Sequence, residues 1–246
     1  AFAAYTVGAG LVQIYTASEN RLALQELLPE AIISCYDSYD DSQLSHLLDW
    51  ADVVCIGCGL GMGQISEKIL KNVLKNVSCP CVIDADGLNL LSRNIELLNQ
   101  CCAPVILTPH MKEMSRLTGW SIDTIMQDRF QALDQIIKQS GPDTKSSIIC
   151  VLKDSRTVVA QTNRQRFVNL AGNNSMAKGG SGDVLAGTIA GLLAQHMAPF
   201  EATTVGVFLH ACGGDEAKKS KGSYSVLARD LIQGMADAMK NAKECR

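Results

Sequence analysis

Asp52-Val-Val-Cys-Ile-Gly-Cys-Gly-Leu-Gly-Met-Gly-Gln-Ile-Ser-Glu-Lys-Ile-Leu-Lys-Asn-Val-Leu-Lys-Asn76 runs from an apolar segment, through four glycines in the seven residues 57–63, into an amphipathic stretch. Asp52–Gly57 reads as a strand and 64–76 as a helix, and the next apolar run, Cys79–Asp84, closes a βαβ unit. The alternation continues in both directions. Strands are expected at Leu11–Thr16, Ala31–Tyr36, Val105–Thr108 and Ile148–Leu152. Helices are expected at about 19–28, 41–49, 111–118 and 122–139, the last capped by Asp123 and ending in Lys138. Several strands are apolar on both faces, as central parallel strands are. Thr157–Gln161 and Arg164–Val168 form a hairpin-like pair around Thr162-Asn163, which predicts an antiparallel edge. Three helices, at about 183–196, 200–219 and 226–243, complete the chain. Residues 1–7 read as the end of a helix stopped by Gly8-Ala9-Gly10, so an opening strand and part of a first helix are expected to be missing.

The 246 residues are 47% hydrophobic and 19% charged, which suits one α/β domain with a buried sheet rather than a disordered chain. The net charge of −3 comes from 22 basic and 25 acidic residues without a basic stripe, which argues against nucleic acid as a partner. No apolar run approaches the roughly 18 residues that span a bilayer, and no basic segment opens a signal peptide. Cytoplasm is the expected compartment, with no membrane partner. Ten cysteines are read as reduced thiols, with Cys55, Cys81 and Cys150 buried. Cys55-x-x-Cys58 has zinc-like spacing but lacks a second pair, so packing is the preferred reading.

The strongest chemical signal is Ala171-Gly-Asn-Asn-Ser-Met-Ala-Lys-Gly-Gly-Ser-Gly-Asp183, leading into an apolar helix. Gly179, Gly180 and Gly182 let backbone N–H groups approach an anion where a helix begins, which makes a phosphate nest. It is neither a P-loop nor a dinucleotide fingerprint. Asp183 at that helix start could be a simple cap, or it could accept a hydroxyl proton as the oxygen attacks a terminal phosphoryl group. Further candidates stand at strand ends, where α/β folds bind ligands. The Gly57–Gly63 loop is one. Asp84, Asp86 and Asn89 could hold Mg²⁺ through water, bond a sugar or ring, or cap the next helix. His110 and Glu113 follow Pro109 after another strand, and Lys153 and Arg156 lie beyond a third, where they could meet nucleotide phosphates or simply be solvated. The four histidines have no metal-ligand spacing, and Ser181 lacks a nucleophile elbow.

In these loops the chain resembles the ADP/ATP-dependent NAD(P)H-hydrate dehydratases, nicotinamide nucleotide repair enzymes of ribokinase-like fold. The resemblance rests on Gly8-Ala-Gly-Leu-Val12, Gly57–Gly63, Asp84-Ala-Asp-Gly-Leu-Asn89, Leu107-Thr-Pro-His110 with Glu113, Val151-Leu-Lys153 and Asn174 through Gly187, in the family's order over nearly the whole chain. It implies a three-layer α/β/α fold with a mostly parallel sheet. It also implies that Asp183 is the catalytic base for attack of the hydrated ring's hydroxyl on ADP or ATP, followed by phosphate elimination. Asn174, Lys178, Gly179, Gly180, Ser181 and Gly182 would hold the nucleotide together with Lys153, Asp154, Ser155, Arg156 and Thr157. Gly61, Asp84, Asn89, His110, Glu113 and Asp183 would meet hydrated NADH or NADPH. Mg²⁺ would shield the phosphates without an assigned protein ligand, and a homo-oligomer, such as a tetramer, is expected. Two departures stand out. Met111-Lys112 replaces the usual Pro-Gly, and Asp154 replaces a usual glycine beside the expected phosphate donor. The rival readings are a ribokinase-like kinase of a small alcohol, such as a vitamin precursor, and a nucleotide-sensing module.

Overall fold

The computed structural model describes residues 1–138, 147–162 and 165–244. Helix α1 (Phe2–Thr6) is followed by β1 (Gln13–Ala17), α2 (Arg21–Leu27) and β2 (Ile32–Tyr36). Strands β1 and β2 pair in parallel with each other and form a small sheet of their own. After α3 (Asp41–Trp50) the main sheet begins. Its strands are β3 (Val54–Ile56), β4 (Cys81–Ile83), β5 (Val105–Leu107), β6 (Ile148–Leu152), β7 (Val158–Gln161) and β8 (Arg166–Val168), side by side in chain order. The first four are parallel, and β7 and β8 run antiparallel, so the expected edge hairpin is present. Its proposed turn residue Asn163 and strand start Arg164 lie outside the described residues.

The alternation of side chains sorts the sheet into two faces. Ile83, Leu107, Cys150 and Leu152 pack beneath α4 (Gln64–Asn76), α5 (Ala85–Leu91), α6 (Met111–Thr118), α7 (Ile122–Gln127) and α8 (Arg129–Ile137). Val82, Ile106, Ile149 and Val151 turn the other way, onto α9 (Ser181–Leu193) and α10 (Pro199–Ser225). Helix α11 (Ala228–Glu244) packs against α10. The result is the three-layer α/β/α arrangement that the family resemblance implies.

Several expectations need correction. The helix expected over 122–139 is two helices. Asp128 leaves helical geometry at φ −144°, ψ 88°, and caps α8 through the Gln131 N–H. The first of the pair is capped by Ser121, not Asp123. Residue 139 lies outside the described residues. Helix α5 was not expected as a helix, because its seven residues are too short for a clear period. Helix α9 begins two residues earlier than expected, at Ser181, and ends at Leu193, after which His196 adopts φ +61°. Cys81 and Cys150 are buried, but Cys55 is exposed. All nine cysteines among the described residues are free thiols.

Helix α9 carries the glycine-rich segment, and its position is set by close contact with α1. A Cβ on Gly191 would stand 2.5 Å from Val7 Cγ2 and 2.7 Å from the Ala4 carbonyl, whereas one on Gly187 would come no nearer than 3.2 Å to the Ala3 methyl and 3.7 Å to the Ala4 backbone nitrogen. Backbone cannot yield as a side-chain tip can. Gly191→Ala is therefore expected to lose about 1–3 kcal/mol by overpacking, against a gain of up to roughly 1 kcal/mol in helix propensity. Thermal denaturation of the two variants should show Gly191→Ala melting below the parent and Gly187→Ala close to it.

Candidate active site

The parallel register brings the loops after β3, β4, β5 and β6 to one edge of the sheet, where the start of α9 meets them. The backbones are packed closely there. An added Cβ on Gly57, at φ +121°, would fall 1.8 Å from the Asp84 carbonyl, so only glycine allows this approach. Gly61, at φ +79°, donates its N–H to Asp86 Oδ2 at 2.9 Å. The next two loops are stitched together by the Lys153 N–H, which donates to the Pro109 carbonyl at 2.8 Å.

Asp84 is buried and precedes α5, but its side chain does not cap that helix. It accepts from Lys153 Nζ at 2.6 Å instead. Ala85, next in line, is one of two non-glycine residues with positive φ among the described residues, at +48°. Lys153 also lies 4.0 Å from Glu113 Oε2. The lysine expected to meet phosphates thus sits inside the site, tied to a substrate-side carboxylate. A Cβ on Gly182 would stand 3.1 Å from Lys153 Nζ and 3.3 Å from Asp84 Oδ2, so the nest rests directly on this ion pair.

His110 and Glu113 form a reciprocal cap at the start of α6. His110 Nδ1 accepts from the N–H groups of Lys112 and Glu113, both at 3.1 Å, and Glu113 Oε2 accepts from the His110 N–H at 2.8 Å. Glu113 is buried, and burial raises its carboxyl, opposed by the His110 backbone bond and by Lys153. Glu113, expected to meet the substrate, has its Oε2 engaged in the cap. With Nδ1 accepting, Nε2 is the donor nitrogen of His110; it lies 3.4 Å from Glu113 Oε1, on a side chain that is 48% exposed. The replacement Met111-Lys112 is accommodated as the first turn of this capped helix. The other departure is resolved by an ion pair: Asp154 Oδ2 lies 2.6 Å from Arg129 Nη2, which offsets its charge beside the nucleotide loop.

Helix α9 starts from Gly180, at φ +85°. Asp183 lies exposed in its first turn and, among the described residues, accepts no hydrogen bond and joins no ion pair. A capping role would need such a bond. Asp84, Asp86, Glu113 and Asp154 are all engaged, and Asp183 is the carboxylate left over. An oxygen of Asp183, an oxygen of Asp84 and Cys58 Sγ lie within 4.8 Å of one another. The two carboxylates suit a hard cation that keeps water and phosphate ligands, whereas a thiol does not. The exposed Cys55 and Cys58 are hydrogen-bonded to each other.

The remaining nest residues, Asn174, Lys178 and Gly179, are exposed, and Lys178 Nζ reaches the Tyr224 carbonyl at 3.4 Å. Ser155 and Arg156 are exposed on the loop after β6, and Thr157 Oγ1 donates to the Asp154 carbonyl at 3.3 Å. Asn89 lies farther along α5, with Oδ1 taken by Arg116. Sequence reasoning missed two supporting residues. Asp215 on α10 accepts from the Gly172 N–H and the Asn173 side chain, at 3.1 and 2.7 Å, and so anchors the approach to the nest. Buried His210 stands 3.3 Å from Ser181 Oγ. Both lie in a long helix with no local motif to mark them.

Burial lowers the His210 imidazole to about 4, despite a bond to the Ser181 backbone that opposes it, and Lys153 lowers it further. The unfolded chain therefore binds the extra proton between about pH 6.5 and pH 4, so the stability that neutral His210 provides is present above that window and lost as pH falls through it. In His210→Gln, the decline in melting stability over that window should be smaller than in the parent by roughly 3 kcal/mol. Parallel curves would deny His210 this role.

With this geometry in view, the comparisons with known proteins are informative. A family model described as NAD(P)H-hydrate dehydratase matches residues 1–236. The chain is 35% identical to the ADP-dependent (S)-NAD(P)H-hydrate dehydratase of Neisseria meningitidis over 88% of its own length and 73% of that protein. It is 34% identical to a bifunctional NAD(P)H-hydrate repair enzyme of Moorella thermoacetica, over 99% of this chain but 46% of that relative, so it spans about half of such proteins. The ADP/ATP-dependent NAD(P)H-hydrate dehydratase of Bacillus subtilis, crystallised with ATP and Mg²⁺, superposes with TM-score 0.82 at 27% identity, covering 98% of this chain and 82% of the other. The likeness extends to the ribokinase-like fold.

Proposed function

This chain belongs to the NAD(P)H-hydrate dehydratase family, and from that premise we propose that residues 1–246 form one domain that restores hydrated NADH or NADPH at the expense of ADP or ATP. The observation that carries the reading is the free Asp183 carboxylate at the glycine-rich start of α9, beside a buried Asp84–Lys153 pair. Gly179, Gly180, Ser181 and Gly182 present the backbone N–H groups of a helix start to the nucleotide's phosphates. Asn174, Lys178 and the loop Lys153–Thr157 border the same nucleotide. Lys153 holds Asp84 in place and contributes positive charge beneath the nest. Gly61 and His110 contact the hydrated dinucleotide from the other side.

Asp183 takes the proton of the ring hydroxyl as that oxygen attacks the terminal phosphoryl group, whose bond to the bridging oxygen breaks so that AMP leaves from ADP, or ADP from ATP. The ring carbon–oxygen bond then breaks, phosphate leaves with the oxygen, a ring proton is lost and the double bond returns. Phosphate departs more readily than hydroxide, which is why a nucleotide is consumed. Asp183 and Asp84 are the groups able to hold Mg²⁺, which when bound would supply charge neutralisation on the phosphates. No helix among the described residues is long and apolar enough to cross a membrane. Action in the cytoplasm, as a homo-oligomer, completes the reading.

Absorbance at 340 nm after mixing hydrated NADH with Mg²⁺ and ADP or ATP is the direct assay. Recovery should depend on nucleotide, and Asp183→Asn should reduce kcat by about 10²–10⁴ while leaving nucleotide binding within a few fold. A folded chain that instead accumulates a stable phosphorylated alcohol would point to the kinase reading.

A further inference from the structure

Beyond the reacting end of the site lies a second feature. The loop after β3, helix α5 and helix α6 carry Gly61, Asn89 and His110, and each of these segments also lines a cleft of about 360 Å³ bounded by Met62, Asn89, Ser92, Arg93 and Arg116. The cleft thus continues the substrate side of the site. Its lining holds two cations and no carboxylate. Arg116 Nη1 donates to Asn89 Oδ1 at 2.6 Å, which leaves the rest of its guanidinium fork available. Among the described residues neither arginine joins an ion pair. Glu67, the acid that feels Arg93 weakly, is itself paired with Lys71 at 2.7 Å. Two exposed arginines from different elements, converging on one concave surface without acidic partners, form a receptor for a doubly charged anion.

We propose that this cleft is the subsite for the pyrophosphate bridge of the hydrated dinucleotide, with Arg93 and Arg116 as its binding residues. The inference rests on the dehydratase reading. Asn89 belongs both to the cleft and to the helix that follows Asp84, so the cleft adjoins the acids at the sheet edge. The pyrophosphate bridge is common to hydrated NADH and hydrated NADPH, so the subsite serves both hydrates alike. A shared anchor remote from the chemistry contributes binding without changing the reacting atoms.

The test uses Arg93→Gln, Arg116→Gln and the double variant, each shown to melt with the parent. Three ligands are compared: hydrated NADH, hydrated NADPH, and the hydrate of reduced nicotinamide mononucleotide, which lacks the pyrophosphate bridge. Each single change should raise KM for both dinucleotides roughly tenfold, as expected for one charged hydrogen-bond pair. Turnover at saturation and KM for the mononucleotide should stay unchanged. Equilibrium binding of NADH, read from its own fluorescence, should weaken in parallel. Unchanged KM for the dinucleotides, an equal loss with the mononucleotide, or a loss confined to the NADPH form would each overturn the proposal. Weaker NADH binding in variants of a protein that turns over no hydrate would support the subsite while sinking the dehydratase reading.

Discussion

The ion pair between Lys153 and Asp84 holds the site together. Both side chains are largely withdrawn from water, with Asp84 only 2% exposed, so the pair survives only because each charge has the other, and removing either would leave an uncompensated buried charge. Three segments far apart in sequence depend on it: the end of β4, the end of β6 and the start of α9. Gly182 allows the third to join. Any side chain there would press on the lysine ammonium and the aspartate oxygen together. The glycine therefore has two roles, since it opens the backbone to an anion and lets the nest settle onto the pair.

The same economy governs the other acids. Asp86 holds the Gly61 amide, Glu113 closes the cap with His110, and Asp154 is matched by Arg129. Each carboxylate has a structural partner that restrains it. Asp183 has none among the described residues and stands at the helix end where partial positive charge is concentrated. A carboxylate kept free there is available to take a proton. Fixed neighbours and one free base make the preorganised arrangement that phosphoryl transfer favours, because positioning accounts for most of its catalysis.

Much of this was legible in the sequence, for identifiable reasons. Strands β4, β5 and β6 are apolar on both faces and bounded by polar or glycine residues, so they announce themselves. Helix α4 has a strong period and a glycine stop in front, and its bounds are those expected. The nest is local, because glycines and Asp183 lie within five residues. What sequence could not show is which charges find each other. Asp84 and Lys153 are 69 residues apart, and nothing near Asp154 points to Arg129. The cap that joins Glu113 to His110 is hidden for a related reason, because a buried cap and a substrate contact look alike until burial is seen.

The central claim is that the ring hydroxyl leaves as part of a phosphate. Hydrated NADH carrying ¹⁸O in that hydroxyl tests it directly, with the released inorganic phosphate examined by mass spectrometry after turnover with ATP and Mg²⁺. Phosphorylation followed by elimination predicts one ¹⁸O in each phosphate released. Unlabelled phosphate, with the heavy oxygen in water, would contradict the account and remove Asp183 from the role assigned to it.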